Sequence, residues 1–313
     1  MKKPSRASIA FVVTAGLAGS AALAEPLVSD PPHLCDSCAA WNAPQEPFLL
    51  HGQTYYVGTA GLSSLVVRTS AGLALFDGGL PQSASEIAAH LAKLGLRLED
   101  VKWIFNSHAH YDHAGGIAAL QRASGATVVA SARGAEALER GGPTPDDPQF
   151  GIGEAENAFP KVTRVRRVAD GEVVKLGDLE ITAHLTPGHT PGSTSWSWRS
   201  CEGGQCLNVV YADSLTPVSA DDFRFSDGPG GERAEEFSRS IDKVAHLPCD
   251  LLVVPHPGAV DLFGKLARRE PRKGAVDPMI DPMIDSKACL AYATSARERL
   301  QKRVDTERQA VAH

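Results

Sequence analysis

Six consecutive residues concentrate metal-binding chemistry: His108-Ala109-His110-Tyr111-Asp112-His113. Three imidazoles and a carboxylate in one short stretch suit zinc. Adjacent side chains in a tight turn diverge, so one ion cannot use all four, whereas two ions can. A hydrogen-bonded polar loop would not need such a density of ligand types. Two more histidines stand at matching places further on. His189 lies in the Gly/Pro turn Pro187-Gly188-His189-Thr190-Pro191-Gly192, and His256 in Pro255-His256-Pro257-Gly258. Rigid turns at strand ends are common places for functional side chains. The remaining histidines have ordinary readings. His33 and His51 fall in a leader or loop, His90 on the polar face of a helix, His184 in a strand, His246 at a helix end and His313 at the terminus.

The elements that must carry these ligands follow from periodicity. Strands are expected at Thr54–Val57, Ser64–Arg68, Leu73–Phe76, Val101–Phe105 and Thr127–Ala130, with helices at Ser83–Leu94, Ala114–Ala123 and Ala132–Glu139. Residues 141–159, rich in Gly, Pro and Asp, read as a long loop, and such loops are often functional. The second half repeats the pattern. Strands fall at Val173–Leu176, Leu179–Leu185, Thr194–Trp198, Leu207–Tyr211 and Leu251–Val254, and helices at Gly231–Leu247 and Ser286–Ala310. An α/β sandwich of two face-to-face sheets with helices outside would bury both sets. Asp277-Pro278-Met279-Ile280 recurs at once as Asp281-Pro282-Met283-Ile284, which reads as a duplication carried in a surface loop.

The chain has 313 residues, 43% of them apolar and 22% charged, which is ordinary for a globular protein. Lys2, Lys3 and Arg6 precede a small and apolar run from Ile9 to Ala24, and Ala22-Leu23-Ala24 fits a cleavage site. Residues 1–24 are therefore expected to be a signal peptide. Residues 25–313 would form one domain, with halves of about 48–165 and 166–313, exported to the periplasm and free of the membrane. Cleavage removes three positive charges from a chain whose formal net charge is already −6. An acidic surface without a basic cluster argues against a nucleic-acid partner. A small-molecule partner and a monomeric protein are the expectation. Six cysteines in an exported chain suggest disulfides. Cys201 and Cys206 would staple a hairpin, and Cys249 and Cys289 would close a loop worth about 4 kcal/mol in the chain-entropy model. Cys35 and Cys38 remain, as a local disulfide or as half of a metal or redox pair.

The His108–His113 motif resembles that of the metallo-β-lactamase superfamily, which includes glyoxalase II, lactonases and ribonucleases as well as β-lactamases. Other segments are similar to its subclass B3: Phe76-Asp77-Gly78-Gly79-Leu80-Pro81, the run from Pro187 to Trp196, Tyr211-Ala212-Asp213-Ser214-Leu215, and Leu247-Pro248-Cys249-Asp250 leading to His256. The Cys201–Cys206 hairpin and Asp147-Pro148-Gln149-Phe150 resemble its carbapenem-hydrolysing branch. The resemblance implies an αββα sandwich and hydrolysis of the β-lactam amide with two zinc ions. It implies His108, His110 and His189 as ligands of the first ion, and Asp112, His113 and His256 as ligands of the second. Asp112 would also orient the attacking water, and Asp77 would be structural. Ser214 stands where other subclasses place a cysteine ligand. Ser214 and Thr216 would meet the substrate carboxylate, and Gln149 and Phe150 would flank the substrate. One departure is Ala60, where part of the branch carries a cysteine that pairs with the leader, so Cys35 and Cys38 are left to each other.

The competing reading is an exported lactonase or glyoxalase II-like thioesterase. In many relatives a carboxylate at the position of Asp213 bridges the two metals. On a strand, Asp213 and Ser214 would face opposite ways, and the resemblance favours Ser214 toward the metals. A non-enzymatic zinc-binding protein is a poorer reading, because all six ligand types are intact.

Overall fold

The computed structural model describes residues 27–227, 232–269 and 281–311. The expected signal peptide, His313 and the first Asp-Pro-Met-Ile copy lie outside the described residues.

A short helix α1 (Cys38–Trp41) is followed by strands β1 (Phe48–His51), β2 (Thr54–Tyr56), β3 (Leu65–Thr69) and β4 (Gly72–Phe76), then helix α2 (Ser83–Lys93) and β5 (Val101–Phe105). Next come α3 (Tyr111–Ala114), α4 (Ile117–Ser124), β6 (Thr127–Ser131), α5 (Ala132–Arg140) and β7 (Val165–Val168). The second half holds β8 (Val173–Leu176), β9 (Leu179–Leu185), β10 (Thr194–Glu202), β11 (Gln205–Tyr211), α6 (Glu232–Ala245), β12 (Leu251–Val253), α7 (Leu262–Ala267) and α8 (Ala288–Val311). Strands β1 to β7 form one sheet in sequence order, and the second sheet runs β12-β11-β10-β9-β8.

Alternation along the strands builds three apolar layers. Leu65, Val67, Ala74, Phe76 and Phe105 point between the sheets and meet Ile181, Trp196, Trp198, Val209, Tyr211 and Val253. Phe76 stacks on Trp198 at 4.6 Å and on Phe105 at 5.0 Å. Their sequence neighbours point outward. Val66, Leu75 and Ile104 pack under Ile87, Leu91, Ile117 and Leu120. Val210 and Leu252 pack under Phe237, Ile241, Tyr292 and Leu300. Each central strand is thus buried on both faces, which explains its nearly unbroken apolar run. Disulfides join Cys35 to Cys38, Cys201 to Cys206 and Cys249 to Cys289.

Three sequence readings are corrected. His90 is fully buried, not on a polar face, with Nδ1 2.9 Å from the Val57 carbonyl and Nε2 3.0 Å from Glu86. His51 is also buried, at the end of β1. The second repeat copy is no surface loop. Asp281 pairs with Arg269, which also donates to the carbonyls of Leu49 and Leu50, and Met283 enters the layer between the sheets. A carboxylate that neutralises a buried guanidinium, and a thioether that fills a core gap, pull this copy inward.

Candidate metal centre

Strands β4, β5, β9, β11 and β12 release their chains at one edge of the sandwich, and each following loop supplies part of the site. The loop after β4 carries Asp77, buried and at φ +55°. Its Oδ1 accepts from the Ser107 N–H (2.8 Å) and Asn106 Nδ2 (3.1 Å), and Oδ2 from Ser107 Oγ (2.6 Å) and Tyr211 OH (2.7 Å). Burial pushes this carboxyl up to about 6, against the pull of His113, Ser107 and Tyr211. Asp77 therefore pins the loop after β5 to both sheets. The helix expected from Ala114 is split by Gly115 and Gly116. A Cβ on Gly116 would meet the Gly78 carbonyl at 2.2 Å, and one on Gly115 would meet Pro81 at 2.4 Å. The missing side chains let the ligand loop press onto the chain after β4.

His108, His110 and His189 present ligand atoms within 4.8 Å of one another, and so do His108, Asp112 and His113. His256 closes the second group. Its Nε2 is 3.3 Å from both His113 Nε2 and Asp112 Oδ2, and His113 Nε2 is 3.1 Å from that same oxygen. Three donors at such spacing match the edge of a tetrahedron with bonds of about 2.0 Å, as zinc uses with nitrogen and oxygen. The first group takes two side chains from the loop after β5 and one from the second sheet, and Asp112 and His113 with His256 repeat that pattern.

The back of each first-group imidazole is held. His108 Nδ1 meets Asp213 Oδ1 at 2.7 Å, His110 Nε2 meets Asp147 Oδ1 at 3.2 Å, and His189 Nδ1 meets the Thr216 carbonyl at 2.9 Å. Such contacts fix the tautomer and leave the other nitrogen for an ion. His108 Nε2 is buried with no protein partner, as an ion-facing nitrogen should be. Burial, with the charges of His113 and His110, holds His108 well below the ordinary imidazole range. Burial, with His108 and His110, pushes His189 down to about 3. Burial thus favours the neutral, ligating form at His108 and His189, whereas, against the effect of burial, Asp147 raises His110 and Asp112 raises His113. Burial would raise Asp112, but His113 and His256 hold it well below the carboxylate range. A cluster of buried imidazoles and an ionised carboxylate, with no thiol among them, fits zinc.

The other site candidates separate. Gln149 places Nε2 3.4 Å from His110 Nδ1. Thr216 Oγ1 lies 3.2 Å from His189 Nδ1. Ser214 is buried beside Asp213. Phe150 turns its ring to the Arg140 guanidinium, 5.9 Å from the centroid. Strand parity does not separate Asp213 from Ser214, because β11 ends at Tyr211. Asp213 is fixed instead by its contacts, since its N–H donates to Ser195 Oγ and its carboxylate reaches the back of His108. Two features escaped the sequence reading. Asp147 behind His110 joins residues 37 apart, which no local pattern signals. The leader also packs on the rim, with His33 stacked on Tyr111 at 3.9 Å and Trp41 5.3 Å from His256.

Residues 57–201 match the family described as the metallo-beta-lactamase superfamily. A subclass B3 metallo-beta-lactamase from a soil metagenome library is 47% identical with a TM-score of 0.80, over 86% of this chain and 99% of that one. The Rm3 metallo-beta-lactamase is 46% identical with a TM-score of 0.81, over 88% and 99%. The hydroxyacylglutathione hydrolase of Anaeromyxobacter dehalogenans (strain 2CP-C) is 31% identical over 185 residues, 59% of this chain and 56% of that one. The chain thus spans about half the length of the curated relatives it matches. It belongs to the metallo-beta-lactamase superfamily. Within that superfamily it stands with the subclass B3 metallo-beta-lactamases.

Proposed function

We infer that the protein is a zinc-dependent hydrolase that opens the β-lactam amide bond and confers resistance to β-lactam antibiotics. Two zinc ions are proposed, one held by His108, His110 and His189 and the other by Asp112, His113 and His256. Bound zinc makes a water nucleophile available near pH 7 and polarises a carbonyl. Asp112 is proposed to orient the attacking water from its place between His113 and His256. Ser214 and Thr216 would receive the substrate carboxylate, and Gln149 and Phe150 would border the rest of the molecule. Residues 25–313 are proposed as a single exported domain, acting in the periplasm as a monomer after removal of residues 1–24. Three disulfides accord with an oxidising compartment.

The placement of Asp213 carries this reading over the thioesterase one. Its Oδ1 lies 2.7 Å from His108 Nδ1, whereas the unpartnered Nε2 is the nitrogen proposed to face the ion. An anionic substrate carboxylate thus meets no bridging negative charge. The test is hydrolysis of a carbapenem by the purified protein, beside hydrolysis of a hydroxyacylglutathione thioester, each with and without a chelator. Carbapenem turnover that disappears with zinc and returns on its addition is expected. Thioester turnover without β-lactam turnover would overturn the reading.

A further inference from the structure

We propose that Asp147 is a positioning residue that couples the ligand His110 to the substrate-facing loop through one carboxylate oxygen. The proposal rests on the two-zinc reading above and concerns what stands behind the ligands. Asp147 is buried, with a side chain only 4% exposed. A carboxylate kept from water needs donors or charge, and Asp147 Oδ1 has two donors. One is the His110 Nε2–H at 3.2 Å, and the other is the Gln149 N–H at 2.8 Å. The first bond leaves Nδ1 as the nitrogen of His110 free to face an ion. The second sets the backbone from which the Gln149 side chain reaches within 3.4 Å of that same Nδ1.

The residues around Asp147 make it a junction. Its own N–H donates to the Thr144 carbonyl, and its carbonyl accepts from the Phe150 N–H at 3.0 Å. The next carbonyl, Pro148, accepts from the Ala220 N–H at 2.8 Å, tying this loop to the segment that carries Thr216. The Thr216 carbonyl in turn holds His189. Two ligands of the first group are therefore braced by the same two loops that carry Gln149 and Thr216. Occupancy of the first metal position and the placing of substrate contacts are coupled through Asp147.

The experiment compares zinc affinity, by competition with a chromophoric chelator, and steady-state kinetics in D147A, D147N and Q149A. Loss of a ligand-orienting partner costs about 10–100-fold in metal affinity. D147A is expected to weaken one of two zinc ions by that factor, to perturb the visible spectrum of the cobalt-substituted protein, and to raise KM. D147N keeps an acceptor oxygen without the charge, so its KM returns toward the parent value while its zinc affinity stays below it. Q149A is expected to raise KM with both zinc affinities unchanged. Zinc affinity within twofold of the parent in D147N, or in folded D147A, would overturn the proposal, as would equal weakening in Q149A. A parent protein that binds no zinc would instead overturn the functional reading itself.

Discussion

Asp213 and His108 meet at 2.7 Å through Oδ1 and Nδ1, which places the carboxylate behind the imidazole and turns Nε2 toward the other ligands. Asp213→Asn should therefore keep two zinc ions in a folded protein, with one bound about 10–100-fold more weakly because the charge behind His108 is gone. Metal analysis after dialysis against graded chelator measures this. Loss of both ions from folded Asp213→Asn would mark Asp213 as a bridge.

Asp77 carries a structural load apart from metal. Its side chain accepts four hydrogen bonds, from Asn106, Ser107 (twice) and Tyr211. Asp77→Ala strands those buried donors, and a loss of about 3 kcal/mol or more is expected. Asp77→Asn should cost less, because Asn tolerates φ > 0 and keeps one acceptor oxygen. Urea denaturation of the metal-free proteins reads both. A cost under about 1 kcal/mol for the alanine variant would contradict this account.

The architecture was largely legible because buried strands and amphipathic helices announce themselves by period. Val101–Phe105, Val173–Leu176 and Leu179–Leu185 fall where the pattern put them. Two strands at or near the sheet margin did not show. β7 is interrupted by Arg166 and Arg167, whose guanidinium groups reach Glu172 and Glu139. β1 is four residues with a register shift after a Pro-rich leader. The candidate ligand histidines stand out because several ligand types share a short stretch, and the structure brings them together. His90 misled because its helix packs under Val57, a contact between residues 33 apart. Asp147 and Asp213 act through tertiary contacts, so their partners could not be read from spacing.

Glu307 should make stability pH-dependent. Burial would raise its carboxyl, but the N–H groups of Ser226 and Phe225 and the Arg303 guanidinium together hold it below the ordinary range. A depressed carboxyl adds stability at and above the ordinary carboxylate range, and that stability is lost as pH falls through the native pKa. Glu307→Gln should cost about 1–3 kcal/mol at pH 7, as for hydrogen bonds to a charged group. The gap to the parent should close on acidification. Chemical denaturation at pH 7 and near pH 3 decides, and a gap that widens in acid would be contrary.

The repeat offers a fourth test. Deleting 277–280 or 281–284 yields the same polypeptide, so one copy always remains to supply an aspartate for Arg269 and a methionine for the core. The deletion should change stability by less than about 1 kcal/mol, since the entropy of closing a chain segment varies only slowly with its length. Arg269→Ala should cost about 3 kcal/mol or more, by leaving Asp281 and the carbonyls of Leu49 and Leu50 unpaired. Thermal melts compare the two. Equal effects would show that the copies are not interchangeable.

Each proposed ligand group draws two side chains from the loop after β5 and one from beyond β8. The sheets are contiguous in sequence and meet across the exposed turn Ala169–Glu172. A backbone cut in that turn separates His108, His110, Asp112 and His113 from His189 and His256. Neither piece then holds a full set for either proposed ion, so metal would become a condition of reassembly. The turn is a natural seam for a two-fragment reporter whose recovered activity counts metal ions as well as encounters.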